Sequence, residues 1–264
     1  MSIQKVRHIL SLSGGKDSTA LAIYMQDKIP NVEYVFCDTG EELPETYEYL
    51  EKLEAFLGQS IVRLNPDRPF THYLDIYRGV LPDARARWCT RMLKLKPFER
   101  FFDNDAIVSY IAIRADEEHR KGYISTKPNI KTSYPFINNC INKEDVYQIL
   151  ADSGLGIPEY YKWRSRSGCY FCFFQQKIEW VGLLENHPNL FDKAAAFEKN
   201  NTECGERFTW IEKESLHDLA KPARVAQIKN MHKARLLSSE ELKSHKLLDI
   251  LEDDKDVACT ICRL

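Results

Sequence analysis

Short apolar segments alternate with amphipathic helical segments along the first half of the chain. Residues 8–13, 32–37 and 60–64 have the length and the β-branched or aromatic content of buried strands. Between them, residues 18–26 and 44–57 carry apolar side chains at helical spacing, and a proline stands in the first turn of the second helix, where it is tolerated. This alternation is typical of βαβ units and predicts an α/β fold, a parallel sheet with helices on both faces.

Polar turns follow the predicted strands. Asp38-Thr39-Gly40 comes after the second strand, and Arg114 opens the turn after a later strand at residues 106–113. Because ligands of open parallel sheets bind beyond the carboxyl ends of the strands, we expect these turns to border one binding site.

The second half of the chain is more helical. Helices are expected at residues 143–150, 177–185 and 189–199, and the segment from residue 215 is charged and helical. We therefore predict one α/β domain at residues 1–200, followed by a helical C-terminal extension at residues 201–264.

Composition bears on the compartment and the partners. No apolar run approaches the ~20 residues that cross a bilayer, and the N-terminus has no secretory pattern, so we expect a cytoplasmic protein without a membrane partner. The formal net charge of −2 argues against strong unassisted binding to nucleic acid. A local basic face remains a candidate, with a solvated helix face as the simpler interpretation; its residues are Arg85, Arg87, Arg91, Lys94 and Lys96.

The segment SGGKDS joins the first strand to the first helix. Gly14 and Gly15 let the backbone approach an anion closely, the N–H groups at the helix start point toward it, and Lys16 adds a positive charge. The spacing differs from the Walker A loop. A generic glycine turn that opens a helix is the alternative interpretation.

This segment resembles the PP-loop motif SGGxDS of ATP pyrophosphatases, which cleave ATP between the α and β phosphates. The resemblance implies an adenine nucleotide α-hydrolase-like (Rossmann-like) fold and a loop that holds pyrophosphate, with Asp17 near Mg²⁺. The implied ATP-binding residues of this segment are Ser11, Ser13, Gly14, Gly15, Lys16, Asp17 and Ser18.

Further motifs are similar to the phosphoadenosine-phosphosulfate (PAPS) reductase branch of that family. They are D-T-G-x-x-x-P-E-T from Asp38, C-x₄-K-x₂-P from Cys89, an R-x-x-E element from Arg114 that lacks the family's preceding glycine, and the pair Cys169-x-x-Cys172. The resemblance implies that Asp38, Thr39 and Gly40 border the adenosine. It also implies that Arg114 faces phosphate or sulfur and is catalytic together with Lys16, Asp17 and Ser18. A structural salt bridge to Glu117 or Glu118 is the alternative for Arg114.

Eight cysteines in a reducing compartment are expected to be thiols or metal ligands. Cys169, Cys172 and Cys89 match positions at which iron–sulfur members of this branch hold a [4Fe–4S] cluster. The fourth ligand is expected to be Cys262 or Cys259, unless three thiolates leave one iron open; zinc and ordinary buried thiols are the alternatives. The remaining cysteines, Cys37, Cys140 and Cys204, are expected to be structural.

A run of rings and arginines precedes the cysteine pair. Its members, Tyr160, Tyr161, Trp163, Arg164 and Arg166, either clamp a nucleotide or nucleic-acid strand or form a packed loop.

The run and the pair resemble the PAPS-reductase-like enzymes of DNA phosphorothioation systems of the Dnd and Ssp type. We therefore expect an ATP pyrophosphatase that adenylates a substrate, DNA in this resemblance, for sulfur insertion. A cysteine desulfurase would donate the sulfur, and partner subunits or an oligomer are possible. The segment Glu203-Cys204-Gly205 resembles the start of the catalytic E-C-G-x-H segment of true PAPS reductases but lacks its histidine. The alternatives are a PAPS or adenylylsulfate reductase, a tRNA thiolation enzyme and a non-catalytic nucleotide-binding subunit.

Overall fold

A five-stranded parallel sheet forms the centre of the protein in a computed structural model that describes residues 6–117, 120, 127–201 and 206–242. The strands are β1 (Arg7–Leu12), β2 (Val32–Cys37), β3 (Val62–Leu64), β4 (Ile107–Tyr110) and β5 (Ile130–Ser133), in the order β3-β2-β1-β4-β5. The order reverses between β1 and β4, so a crevice opens beyond the carboxyl end of β1. The predicted fold class is confirmed.

Helices cover the sheet and continue beyond it. Those of the first half are α1 (Lys16–Met25), α2 (Pro44–Leu57), α3 (Phe70–Ile76), α4 (Trp88–Thr90) and α5 (Lys96–Phe102), with a π-helical turn at Arg91–Leu95. The second half has α6 (Pro135–Asn138), α7 (Lys143–Ser153), a 3₁₀ turn at Glu159–Lys162, α8 (Lys177–Asn186), α9 (Pro188–Ala196), α10 (Leu216–Leu219) and α11 (Pro222–Leu242). A small antiparallel pair, β6 (Lys199–Asn201) and β7 (Glu206–Phe208), lies between α9 and α10.

Alternate side chains of the central strand enter different apolar cores. Leu10 of β1 packs with Leu21 of α1 and Val146 of α7, whereas Ile9 packs with Phe98 and Phe102 of α5. Since successive side chains of a strand point to opposite faces, helices must cover both sides of the sheet.

A third core lies beside the sheet and is rich in aromatic rings. Phe70 of α3 stacks on Trp88 at 5.1 Å between ring centroids, and Phe171 stacks on Trp210 at 5.2 Å. Leu216 of α10 is fully buried in the same cluster. Residues from both sides of position 200 therefore share one core, while the division into two domains at that position stays a prediction.

Element limits differ from the sequence prediction at two places. The strand predicted at residues 106–113 ends at Tyr110, and the helix predicted at residues 189–199 ends at Ala196. The helix ends early because the Glu198 carboxylate accepts hydrogen bonds from the backbone N–H groups of Trp210 (3.0 Å) and Leu216 (2.8 Å). Within the described residues, no helix is long and apolar enough to cross a membrane.

Candidate active site around the phosphate loop

The loop at residues 13–18 turns from β1 directly into α1. Ser13 N–H donates to Ser18 Oγ at 3.1 Å, and Ser18 Oγ donates to the Gly15 carbonyl at 3.1 Å. Gly14 has a φ of 70°, and a Cβ there would lie 2.4 Å from Cγ2 of the fully buried Thr46 in α2. Only glycine fits this position, because both the backbone angle and the space exclude a side chain.

Residues from the second half of the chain close over this loop. The Tyr160 hydroxyl donates to the Gly14 carbonyl at 2.7 Å, Lys16 N–H donates to the Tyr161 hydroxyl at 3.3 Å, and Ser167 Oγ donates to Ser13 Oγ at 3.1 Å. Ser167 was not among the predicted site residues, because nothing in the local sequence connects it with a loop about 150 residues away. Its hydroxyl lies where it can act as a further donor to an anion on the loop.

Asp17 is the electrostatic centre of the loop. Its side chain is 3% exposed, and its two oxygens lie 2.9 Å from Lys16 Nζ and 3.1 Å from Arg114 Nη1. Burial lowers the pKa of Arg114, but the carboxylates of Asp116, Asp17 and Glu117 together raise it above its usual value. The guanidinium therefore stays charged, and the structure brings the predicted residues Lys16, Asp17 and Arg114 together.

The turn after β4 holds Arg114 in place. Arg114 Nε donates to Asp116 at 2.9 Å, and Arg114 N–H donates to Glu117 Oε2 at 3.1 Å. Glu117 also pairs with the buried guanidinium of Arg120. The expected salt bridge to Glu117 is present at 3.7 Å, beside the one to Asp17, and Glu118 lies outside the described residues.

The turn after β2 lies near the cysteine pair. Asp38 Oδ1 accepts hydrogen bonds from Gly40 N–H at 2.9 Å and from the Tyr47 hydroxyl at 2.8 Å. Thr39 Oγ1 lies 3.3 Å from Cys169 Sγ. The predicted adenosine-binding turn therefore lies next to the first cysteine of the Cys-x-x-Cys pair.

A buried ion pair lies beside that cysteine. Glu42 Oε1 accepts a hydrogen bond from Thr39 at 3.0 Å, lies 3.7 Å from Cys169 Sγ and is 3.9 Å from Lys94 Nζ. Burial, and then the negative charge of Glu42, raise the pKa of Cys169 well above its usual value, so the thiol is protonated at neutral pH. Lys94 is 5% exposed, so its assignment to a solvated helix face was wrong; it neutralises a buried carboxylate instead.

Three of the predicted metal ligands, Cys89, Cys169 and Cys172, belong to the part of the chain that the structure describes. Cys89 and Cys169 pack against the aromatic core, and Cys172 directly follows the short turn at residues 170–171. Within the described residues, no group of three or more histidine, cysteine, aspartate or glutamate side chains is arranged to hold a metal ion. The predicted ligands Cys262 and Cys259 lie outside the described residues. The iron–sulfur cluster stays a prediction, and no step below depends on it.

The other cysteine expectations have different outcomes. Cys37 is buried, and burial raises its pKa to about 12, as expected for a structural thiol. Cys140 is exposed with a φ of 55°, so the prediction of a structural buried thiol was wrong; the turn after α6 carries its side chain to the surface. Cys204 lies outside the described residues.

The run before the cysteine pair is mainly a packed loop. Tyr160 is fully buried, and Arg164 donates to the carbonyls of Gly168 and Cys169 at 3.1 and 2.8 Å. Arg166 differs, because its guanidinium lies 5.7 Å from the centre of the Phe174 ring.

The model of the phosphoadenosine phosphosulfate reductase domain matches residues 7–173. The matched part contains the whole parallel sheet, the phosphate loop, Arg114 and the Cys169–Cys172 pair. The chain belongs to the phosphoadenosine phosphosulfate reductase domain family.

Four proteins related to this chain in sequence are described as uncharacterised or by gene region only. Two proteins of Methanocaldococcus jannaschii are each 27% identical, over 69% and 70% of this chain. The alignments cover only 45% and 40% of those proteins, so this chain spans less than half of their length. A nin region protein of Escherichia phage lambda is 28% identical over 67% of this chain and 68% of its own length.

One solved structure supports the fold. The phosphate complex of PAPS reductase from Candida auris aligns with a TM-score of 0.51 at 14% identity, over 64% of this chain and 84% of that chain. The U34-tRNA thiolase NcsA from Methanococcus maripaludis, with its [4Fe-4S] cluster, aligns with a TM-score of 0.39 at 15% identity, over 73% of this chain and 71% of that chain.

Proposed function

We propose that this family member is an ATP pyrophosphatase that adenylates an oxygen of its substrate, which sulfur then replaces. The observation that carries this proposal is the loop at residues 13–18, where backbone N–H groups, Lys16 and Arg114 converge at the start of α1. The start of a helix with a glycine turn is suited to phosphate groups, and two buried cations suit the charge of pyrophosphate.

The first step is substitution at the α-phosphorus of ATP. A substrate oxygen attacks the α-phosphorus, and the bond between this phosphorus and the oxygen that bridges to the β-phosphate breaks. Pyrophosphate leaves and carries the negative charge that develops on the bridging oxygen. Lys16 and Arg114 stabilise that charge. Asp17 supplies a buried carboxylate, the donor type that Mg²⁺ prefers, and Mg²⁺ on this residue and the phosphates would add positive charge.

The second step transfers sulfur. We propose that the terminal sulfur of a persulfide, loaded by a cysteine desulfurase, attacks the substrate atom that bears the adenylated oxygen. The bond to that oxygen breaks and AMP leaves with it, and a second thiol then cleaves the S–S bond and forms a disulfide. The position of Cys169 beside Thr39 favours this route, because it brings a thiol to the turn that is expected to border the nucleotide. We propose DNA as the substrate, following the resemblance to phosphorothioation enzymes; a tRNA would use the same two steps.

The test is product analysis with radiolabelled ATP, an oligonucleotide substrate, Mg²⁺ and a desulfurase. We expect AMP and pyrophosphate rather than ADP. Lys16→Met is expected to lower the rate about 100-fold or more, because it removes a cation aimed at the leaving group. Asp17→Asn is expected to lower the rate as well, because it removes the carboxylate charge proposed to hold Mg²⁺. Asp67→Asn is its control, since Asp67 forms an exposed ion pair with Arg100 outside the loop.

The same preparation separates the rival functions. A PAPS or adenylylsulfate reductase would release sulfite from a nucleotide sulfate and would leave ATP intact. A non-catalytic subunit would bind ATP without forming AMP. Either result, obtained with all partners present, would refute the proposed reaction.

A further inference from the structure

A groove beside the cysteine pair is lined by aromatic rings and by Arg85. It encloses about 950 Å³ between the loop at residues 80–85, Phe173 and Phe174, and the segment at residues 208–213. Phe173 and Phe174 are half-buried, and their ring centroids lie 4.3 Å apart. Its lining residues lie outside the loop at residues 13–18, and the reaction proposed above does not use them.

Two guanidinium groups lie close to the Phe174 ring. Arg87 lies 5.0 Å and Arg166 lies 5.7 Å from the centre of the Phe174 ring. Arginine planes and phenyl rings together form a surface on which unpaired bases stack. Phe174 is half-buried and is not part of the aromatic core, so part of its ring remains accessible beside these guanidinium groups.

The charge of this surface is incompletely neutralised. Arg85, Arg87 and Arg91 form no ion pair with a carboxylate within the part of the chain that the structure describes. Asp83 also lines the groove, but its carboxylate accepts hydrogen bonds from the backbone N–H groups of Arg85 and Ala86 at 2.7 and 2.6 Å. Glu212 also lines the groove and pairs with Lys213 at 3.7 Å, so Arg85 and Arg87 leave an excess of positive charge that suits a phosphodiester chain.

The groove adjoins the phosphate loop through one short segment. Arg166 lies over Phe174, and the next residue, Ser167, donates to Ser13 in the loop. Two adjacent residues therefore contact the Phe174 ring and the phosphate loop, so a strand on this ring would lie on the side of the segment that leads to the loop.

We propose that this groove binds a single-stranded segment of nucleic acid, with bases on Phe174 and the arginine planes and phosphates on Arg85 and Arg87. The proposal rests on the proposed function, and it names the form in which the substrate reaches the site. A paired duplex does not fit the same role, because its bases are already stacked and cannot lie on the rings.

The experiment measures the anisotropy of a fluorescein-labelled oligodeoxythymidylate bound to the full chain at several salt concentrations, without ATP. Arg85→Glu with Arg87→Glu is expected to weaken binding at least tenfold and to lower the slope of log affinity against log salt by about 1.4, or about 0.7 for each lost phosphate contact. Phe174→Leu keeps an apolar side chain and is expected to weaken binding about fivefold or more without changing the slope.

Lys52→Glu with Lys143→Glu is the control, because both lysines are exposed on α2 and α7 and the change in net charge is the same. Unchanged binding by the groove variants, equal weakening by the control, or binding of duplex in preference to single strand would overturn the proposal. Lys16→Met distinguishes a failure of the groove proposal from a failure of the proposed function. This variant should abolish binding of a fluorescent ATP analogue and leave strand binding intact. A chain that binds the strand in the groove but never ATP would refute only the proposed function.

Discussion

Replacing Gly14 by alanine tests the geometry of the phosphate loop in terms of stability. An alanine with a φ of 70° costs about 1–2 kcal/mol relative to glycine. Its Cβ would also lie 2.4 Å from Cγ2 of the fully buried Thr46. Overpacking of this kind costs about 1–3 kcal/mol. We expect Gly14→Ala to lower the free energy of unfolding by about 3 kcal/mol, as measured by urea denaturation.

Two further variants separate the backbone cost from the clash. Gly58 ends α2 with a φ of 62° and open space around it, so Gly58→Ala carries only the backbone cost of about 1–2 kcal/mol. Thr46→Ser removes the methyl group that the new Cβ would meet and costs about 1 kcal/mol alone. In the double variant Gly14→Ala, Thr46→Ser, relief of the clash should recover about 1–2 kcal/mol relative to the sum of the single changes. Additivity within about 0.5 kcal/mol would refute the reasoning.

Two other expectations concern the C-terminal helix and the thiols. Lys177 and Arg224 both lie 2.5 Å from Glu214 and lower its pKa from 4.5 to about 2. The two ion pairs of Glu214 therefore stabilise the folded protein above pH 4.5, and this stabilisation is lost as the pH falls toward 2. After allowance for solvent screening, Glu214→Gln should lower the free energy of unfolding by about 1 kcal/mol at pH 7 and by much less near pH 2. In the native protein at pH 8, iodoacetamide followed by peptide mass spectrometry should modify the exposed Cys140 well before Cys37, which is buried and has a pKa of about 12. Equal loss of stability at both pH values, or early modification of Cys37, would contradict these expectations.

Local sequence signals predicted the elements that position the loop. The limits of β2 and α2 agree with the predicted residues 32–37 and 44–57, because a run of buried β-branched and aromatic residues and a proline in the first helical turn are strong local signals. The start of α1 at Lys16 rather than at residue 18 shows that the glycine turn is shorter than its composition suggested.

Contacts between distant segments were not predictable in the same way. The bonds from Tyr160 and Ser167 to the loop and the pair of Lys94 with Glu42 depend on how the second half of the chain folds back. Lys94 follows Cys89 in a sequence that looks like an exposed basic helix, and only the packing of α4 and the π-helical turn buries it. Motifs identified which residues belong near the site, and long-range packing decides which of them touch.

The proposed reaction requires the N–H groups between Ser13 and Ser18 to bind the phosphates of ATP. A crystal structure with the non-cleavable analogue α,β-methylene-ATP and Mg²⁺ would show where those phosphates lie. We expect the β and γ phosphates at the start of α1, with Lys16 and Arg114 within hydrogen-bond distance of phosphate oxygens. An analogue bound elsewhere, with the loop empty, would contradict the account.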